Sequence, residues 1–493
     1  MRVPATNRIK MSIGLSLVLA VALIADLGLG SVLSASVLSL APPFAPISPA
    51  LSPVTPTLSP TFSPTPTVVP ATPTPTPIPT PTPVPTPTLA PTSTPLPSPS
   101  LARSKVIGGT EPMVAVDPGS GDIAVVSEHI DWSKACDRAS VQISSDGGAT
   151  FSAPSYPWGS YCEDIHTAIA YGVDGRLWLA NGLRFADGYK LSVTHSSGNL
   201  AADIAAGKTP SWAAPFIEPW TPGWVGCFPM IAVDMDPADY NYGTVYVAYN
   251  YEAPTGPGVG LMASNDGSHW GFTKIPVDGL ATGAGPFSRI GYRIVPVAHG
   301  FTGLAGGPDQ LGIDAYVSYW QNNSILVVPV SFSYGPDPET AQFGPIGAPV
   351  TAISARNLDP WQSELAFDGS GLWLASSHGP ATLSHQALDS GGALVGGAWS
   401  ATVLADGDAV APVVATEGNL VFFGYRAAGD GGAFWRISYD GGTTFSAPVP
   451  AGVSGNGPNV TNGYGLRDNA IFANGSFWWA LGNGSVYLVR VTP

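Results

Sequence analysis

Charge is scarce in this sequence. Asp, Glu, Lys and Arg make up 11 % of its 493 residues, less than half the roughly 25 % usual in soluble domains. Basic residues are scarcest, 19 against 34 acids, for a net charge of −15. That balance excludes nucleic acid and anionic membrane surface as partners, because both bind by exchanging counterions for Lys and Arg. Cysteine is nearly absent, with three copies whose spacings match no metal site. Helical periodicity is also missing: only AADIAAG at 201–207 offers a single turn. An all-β chain is what remains. Glycine and proline, by contrast, are abundant at 59 and 51 copies, and the prolines are unevenly spread.

Residues 1–40 read as a signal peptide or an N-terminal membrane anchor. Arg2, Arg8 and Lys10 precede an apolar run from Ser12 to Ile24, which Asp26 interrupts. That run is short of the roughly 20 residues a membrane-spanning helix needs. Residues 41–103 form a linker in which 22 prolines fall between Pro42 and Pro99, mostly alternating with Thr. Such a segment cannot bury a core. With φ fixed by proline it extends as a polyproline-like stalk, at about 3.1 Å per residue reaching on the order of 180 Å. Residues 104–493 hold nearly all the acid and are the folded part.

Within them a hairpin motif recurs. Ser144-Ser145-Asp146-Gly147-Gly148-Ala149-Thr150-Phe151 matches Ser438-Tyr439-Asp440-Gly441-Gly442-Thr443-Thr444-Phe445, and Ser264-Asn265-Asp266-Gly267-Ser268-His269-Trp270 is one residue shorter. The copies start 120 and then 174 residues apart, two and three units of a period near 58. A second pattern keeps that period: an apolar strand, a Gly/Asp turn and an aromatic-rich strand, as in MVAVDPGSGDIAVV, LAFDGSGLWLA and AIFANGSFWWA. Seven copies can be placed, the fourth stretched. Period-two alternation with Gly-rich connectors marks hairpins. Repeats of this length predict a β-propeller of four-stranded blades, seven in number with six as the alternative, preceded by a disordered Pro/Thr stalk. The last unit lacks a fourth strand, which Ser104–Gly108 is expected to supply.

The Ser-x-Asp-x-Gly hairpin resembles the Asp-box, or BNR repeat, of sialidases and related propellers. In that resemblance Asp146, Asp266 and Asp440 are scaffold: each accepts backbone N–H groups of its turn, and glycine takes positive φ. The hairpins lie on one face of the ring. Loops entering the inner strands and loops joining second to third strands share the other face, at the mouth of the central channel. Those loops carry Trp132, Trp158, Trp220, Trp224 and Trp361, flat rings of the kind on which sugars stack beside polar groups. They also carry Cys136, Cys162 and Cys227. Export permits a disulfide, and Cys136 with Cys162 is the expected pair because their loops flank one hairpin.

Sialidases use three arginines for the substrate carboxylate, with a tyrosine nucleophile, a glutamate and an acid/base aspartate. Their first arginine stands in an Arg-Ile-Pro motif; here the position reads Glu111-Pro112-Met113. Arg293, Arg356 and Arg467 lie near other inner-strand entrances, and Tyr464 with Glu364 supplies a nucleophile and base. Other glycosidase chemistry needs two carboxylates about 5–10 Å apart across the channel, with Glu111, Glu163, Asp164, Glu364 and Asp408 as candidates. No cofactor is required, although the oxygens of DMDPADYN at 234–241 suit Ca²⁺ in type. The expected function is recognition of an extracellular glycan or surface protein by a monomeric propeller that meets the membrane only through its N-terminal segment. Glycoside hydrolase or lyase chemistry is the alternative.

Overall fold

The computed structural model describes residues 99–493 except 107–108, 132–135, 160, 164–165, 187, 198–199, 220–228, 238, 240, 254–255, 278–291, 297–312, 322, 334–341, 345, 355–362, 378–379, 391, 406, 429–431, 454–467 and 483–484. The expected signal or anchor segment and nearly all of the Pro/Thr-rich residues lie outside the described residues, as do Trp132, Asp164, Trp220, Trp224, Cys227, Arg356, Trp361, Tyr464 and Arg467.

Seven antiparallel sheets succeed one another along the chain as a seven-bladed β-propeller. Blade one is Thr110–Val116, Ile123–Asp131 and Cys136–Ser144. Blade two is Ala168–Tyr171, Leu177–Phe185, Gly188–His195 and Phe216–Ile217; blade three is Met230–Val233, Val245–Ala253, Gly256–Ser264 and Gly271–Pro276. Blade four pairs Tyr292–Pro296, Ala315–Gln321, Ser324–Val330 and Val350–Ser354. Blade five pairs Ser363–Phe367, Gly371–Ser377, Ala381–Ala387 and Ser400–Val403. Blade six runs Ala409–Glu417, Leu420–Ala427, Ala433–Ser438 and Val449–Pro450. Blade seven joins Asn469–Ala473, Ser476–Gly482 and Val486–Thr492 to the N-terminal strand Ser100–Lys105. Blade one keeps only a trace of a fourth strand, the reciprocal bridge between Val141 and Ser155 (2.8 and 2.9 Å).

Each inner strand packs against the next around the circle, the seventh against the first. That seam is clamped by a side chain. Asn469 Oδ1 accepts the Val114 N–H (2.8 Å) while its Nδ2 donates to the Val114 carbonyl (3.0 Å). The second strands carry the core: Leu177, Leu179, Tyr246, Val247, Phe422, Phe423, Phe477 and Trp479 are all buried from solvent. Sheets covered on both faces by neighbouring blades read as near-continuous apolar runs, which is the LWLA and FWWA pattern.

The closing strand differs from expectation in position. It is Ser100–Lys105, paired Ser100↔Thr492 through Lys105↔Tyr487, rather than Ser104–Gly108. Among the described residues the pairing starts at Ser100, directly after Pro99, which has no N–H to give a ladder. The irregular fourth unit is a full blade with an added two-stranded flap, Phe332–Ser333 with Gln342–Phe343, so the six-bladed alternative is discarded. AADIAAG forms the short helix Leu200–Ala205, inserted between the third and fourth strands of blade two. Among the described residues no helix is long and apolar enough to cross a membrane.

Candidate functional site at the channel mouth

The two faces are built differently. On the hairpin face the contacts are local. Asp146 accepts Thr150 N–H at 2.9 Å and its hydroxyl at 2.6 Å, and Asp440 treats Thr444 the same way at 2.8 and 2.7 Å. Asp266 takes the N–H groups of Ser268 and His269 (2.7 and 2.8 Å). Ser144 and Ser438 each accept a glycine N–H at 2.8 Å. Hydrogen bonds to Thr150 hold the Asp146 carboxyl down to about 2.

Each hairpin also docks on the tryptophan of the preceding blade. A Cβ on Gly267 would overlap the Trp178 ring, one on Gly442 would overlap Trp373, and Gly148 lies against Trp478. Across the strand from each tryptophan stands a basic side chain: His195 at 4.6 Å from Trp178, His385 at 4.3 Å from Trp373, and Arg490 at 5.1 Å from Trp478. The three motifs are therefore blade-to-blade joints, made where the ring passes from seven to one, two to three and five to six.

At the channel mouth the contacts are long-range. The inner strand of blade one is bulged between Thr110 and Met113, and Glu111 takes φ 49° there. Blade six repeats the bulge between Val410 and Val413, with Ala411 also at φ 49°. In both, proline follows (Pro112, Pro412) and offers no N–H to the ladder, which accounts for the break in pairing. A non-glycine residue in this region of φ is strained, a feature concentrated at functional sites. The buried Glu111 carboxylate meets His166 Nε2 at 3.0 Å, so neighbouring inner-strand entrances face each other.

A second set of contacts is centred on the buried Glu163. Its Oε2 accepts Ala139 N–H (2.7 Å) and faces Asn181 Nδ2 (3.4 Å), which also donates to Thr167 Oγ1 (2.6 Å). Burial pushes the Glu163 carboxyl up to about 8, the Ala139 N–H and Arg138 opposing it only in part. It is consequently protonated at neutral pH. Glu128 is buried as well, and accepts the Thr167 N–H. On the other side, Arg426 is clamped to Asp468 by two hydrogen bonds of 2.6 and 2.7 Å, both side chains almost without solvent contact.

Of the expected site residues, Glu111 is paired with His166, and Glu163 is buried on Ala139 and Asn181. Glu364, on the inner strand of blade five, is buried, whereas Asp408 is exposed before the inner strand of blade six. Arg293 lies on the inner strand of blade four, opposite Ser318. Trp158 corrects the expectation of a stacking platform. It is 3 % exposed, sits in the core, and its Nε1–H donates to Ser192 Oγ (2.9 Å), so neither ring face is open to a sugar. The Cys136–Cys162 bridge is not formed. The Asp137–Glu163 pairing sets Cys162 across from Arg138 and leaves Cys136 on the diagonal, a separation of about 7–8 Å that a disulfide does not span.

In the acidic loop 234–241 several polar atoms take partners within the fold. Asp234 Oδ1 accepts Asp236 N–H (3.0 Å), Asp239 Oδ1 accepts Asn241 N–H (2.9 Å), and Asn241 Nδ2 donates to Asp314 Oδ1 (2.6 Å). Burial raises Asp234 and Asp314 each to about 7. Among the described residues no three Asp, Glu, His or Cys side chains gather as a metal ion would require. Arg426, Glu128 and His166 were not singled out by the sequence; the Glu-Pro and Ala-Pro pairs before an inner strand are the signal that marks their neighbourhood.

No family model and no curated protein matches this chain. Among solved structures it is similar to a Hadza microbial sialidase at 11 % identity, with a TM-score of 0.43, over 78 % of this chain and 65 % of that one. It is also similar to an intramolecular trans-sialidase from Ruminococcus gnavus (11 %, TM-score 0.38, 68 % of this chain and 92 % of that one). A third is a polysaccharide lyase acting as an ulvan lyase (11 %, TM-score 0.43, 78 % and 94 %). The chain thus spans just under two thirds of the first of these proteins and most of the other two.

Proposed function

We propose that this is an exported, envelope-tethered Asp-box propeller that recognises extracellular glycan through its channel-mouth face. The observation that carries the reading is the fate of the mouth carboxylates. Glycosidases flank the scissile bond with two carboxyl groups about 5–10 Å apart. Among the described candidates Glu111, Glu163 and Glu364 are buried, with Glu111 against His166 and Glu163 on Ala139, while Asp408 is exposed. Groups sequestered in this way shape and stiffen a binding face more readily than they reach a substrate. The signal-like N-terminus and the Pro/Thr stalk fit display outside the cell. Neutral polysaccharide is the favoured ligand, given the net charge of −15.

A second reading rests on a different observation. A neutral Glu163 and the Glu111–His166 pair are the parts of an acid/base couple, which a hydrolase or lyase would use if the mouth opened around a substrate. Glycan-array binding of the full chain, run beside a turnover assay, separates the two. Saturable binding without turnover supports recognition. Turnover that is lost in Glu163→Gln and in His166→Ala replaces it with catalysis.

A further inference from the structure

The three blade-to-blade joints are built alike, but only the joint from blade two to three carries a second ring. In the joint from blade two to three, the third strand pairs Val193 with Phe216, and Phe216 stacks on the hairpin aromatic Trp270 with ring centres 5.5 Å apart and planes at 29°. His195 and His385 both stand across from a tryptophan, so Val193 corresponds to Leu383 and Phe216 to Leu383's partner, Thr402. Trp270 corresponds to Phe445 by its place in the hairpin. Where blade two supplies a phenyl ring, blade five supplies the hydroxyl of Thr402, and the seventh blade sets Ser104 opposite Leu488.

Beside Thr402 lies a cleft of about 220 Å³ between blades five and six. Phe445, half-buried, forms its wall and has no ring partner among the described residues, whereas Trp270 is covered. The exposed Ser400, Thr402 and Thr443 border it with hydroxyls, and His385 and Trp373 close its floor. No carboxylate lines it, although the chain has 34 acids. Burial holds His385 below the ordinary imidazole range, with Asp368, 3.9 Å from its Nε2, opposing the shift. An apolar ring face surrounded by hydroxyls matches the two surfaces of a pyranose: C–H groups stack on the aromatic, and the ring's hydroxyls exchange hydrogen bonds with Ser and Thr. The volume falls below the roughly 300 Å³ at which pockets for drug-sized ligands begin, which suits one sugar ring rather than a chain.

We infer that the cleft between blades five and six is a second carbohydrate site, remote from the channel mouth, which takes a single neutral pyranose unit against Phe445 in the place that Phe216 fills in the homologous joint. It does not depend on what the channel mouth binds.

The chain itself supplies the test. Thr402→Phe restores the ring that blade two carries, and Ser400→Phe fills the same space from an exposed neighbouring position. The full chain is titrated calorimetrically with maltotriose and with cellotriose, neutral trisaccharides that differ in linkage. Saturable binding of at least one is expected, weakened at least tenfold in each filled variant, with the melting temperature of Thr402→Phe at or above the parent's. Equal binding in both filled variants and the parent overturns the assignment, as does the absence of saturable heat with either sugar. Array binding to larger glycans by Thr402→Phe reports on the channel mouth separately, so a failure there is distinguishable from a failure here.

Discussion

The hairpin face and the channel mouth use the same residue types to opposite ends. On the hairpin face, Asp146, Asp266 and Asp440 are partners of residues two to four positions away, and Asp146 is held down to about 2. At the mouth, Glu163 binds Ala139 from 24 residues away and Asp468 binds Arg426 from 42 away, and burial pushes Glu163 up to about 8. A carboxylate in a turn gains several N–H donors and keeps water, so its charged form wins. One under the mouth loses water first, and a single N–H does not make up the difference. The comparison separates groups that lock a repeat from groups that hold a site together.

The largest expected break in this contrast is at Arg426. Removing a buried charge leaves its partner uncompensated, at a cost of about 3–5 kcal/mol. Arg426→Met should destabilise the full chain by that much in chemical denaturation, and a second change, Asp468→Leu, should recover most of it, since a buried ion pair replaced by apolar groups is often neutral. A single-mutant loss below about 1 kcal/mol would mean that Asp468, whose carboxyl burial already pushes up, is relieved by a proton or by water instead of being left as a bare charge.

What the sequence disclosed follows the same division. Turn chemistry is local, so the three Ser-x-Asp hairpins and the strand–turn–strand repeats were visible from spacing, and with them seven blades. The closing strand was displaced by four residues because Ser100–Lys105 is an exposed edge strand, largely without apolar alternation to mark it. The joints went unseen for another reason. Trp178, Trp373 and Trp478 look like any strand aromatics until the ring sets a glycine of the next blade against each. Trp158 misled because a tryptophan in a loop beside acids reads as a ligand platform, and only the partner Ser192, 34 residues on, shows it to be core. Within the pairs Glu111–His166 and Arg426–Asp468 no sequence spacing names the partner, since the fold brings residues 55 and 42 positions apart together.

A smaller effect sharpens the contrast through pH. The folded Glu163 carboxyl keeps its proton to about 8, whereas an unfolded one releases it near 4.5. Its advantage to the fold is therefore complete below pH 4.5 and is lost as pH rises to about 8. Asp234 and Asp314 act in the same direction between 3.8 and about 7. Glu163→Gln cannot ionise, so relative to the parent it should become progressively more stable across pH 4.5–8, by on the order of a few kcal/mol at the upper end. Parallel curves for the two proteins in urea would show that Glu163 is ionised in the folded state, and would remove the acid from the acid/base reading of the mouth.

The smallest effect belongs to the hairpin face and has the opposite sign. The folded Asp146 carboxyl sits near 2 against 3.8 for an ordinary one, chiefly through the Thr150 hydroxyl and N–H. Its contribution is present above pH 3.8 and is lost as pH falls through about 2. The side chain is open to solvent, so water and salt screen much of the gain. Asp146→Asn should therefore leave the melting temperature nearly unchanged on the acid side, near pH 2, and lower it slightly at neutral pH, where the parent carboxylate accepts two hydrogen bonds from Thr150 and one from Ser144. Melting curves at pH 2 and pH 7 decide it. If the difference between parent and variant is as large at pH 2 as at pH 7, the turn is held by its geometry and not by the charge of Asp146, and the electrostatic half of the comparison fails on this face.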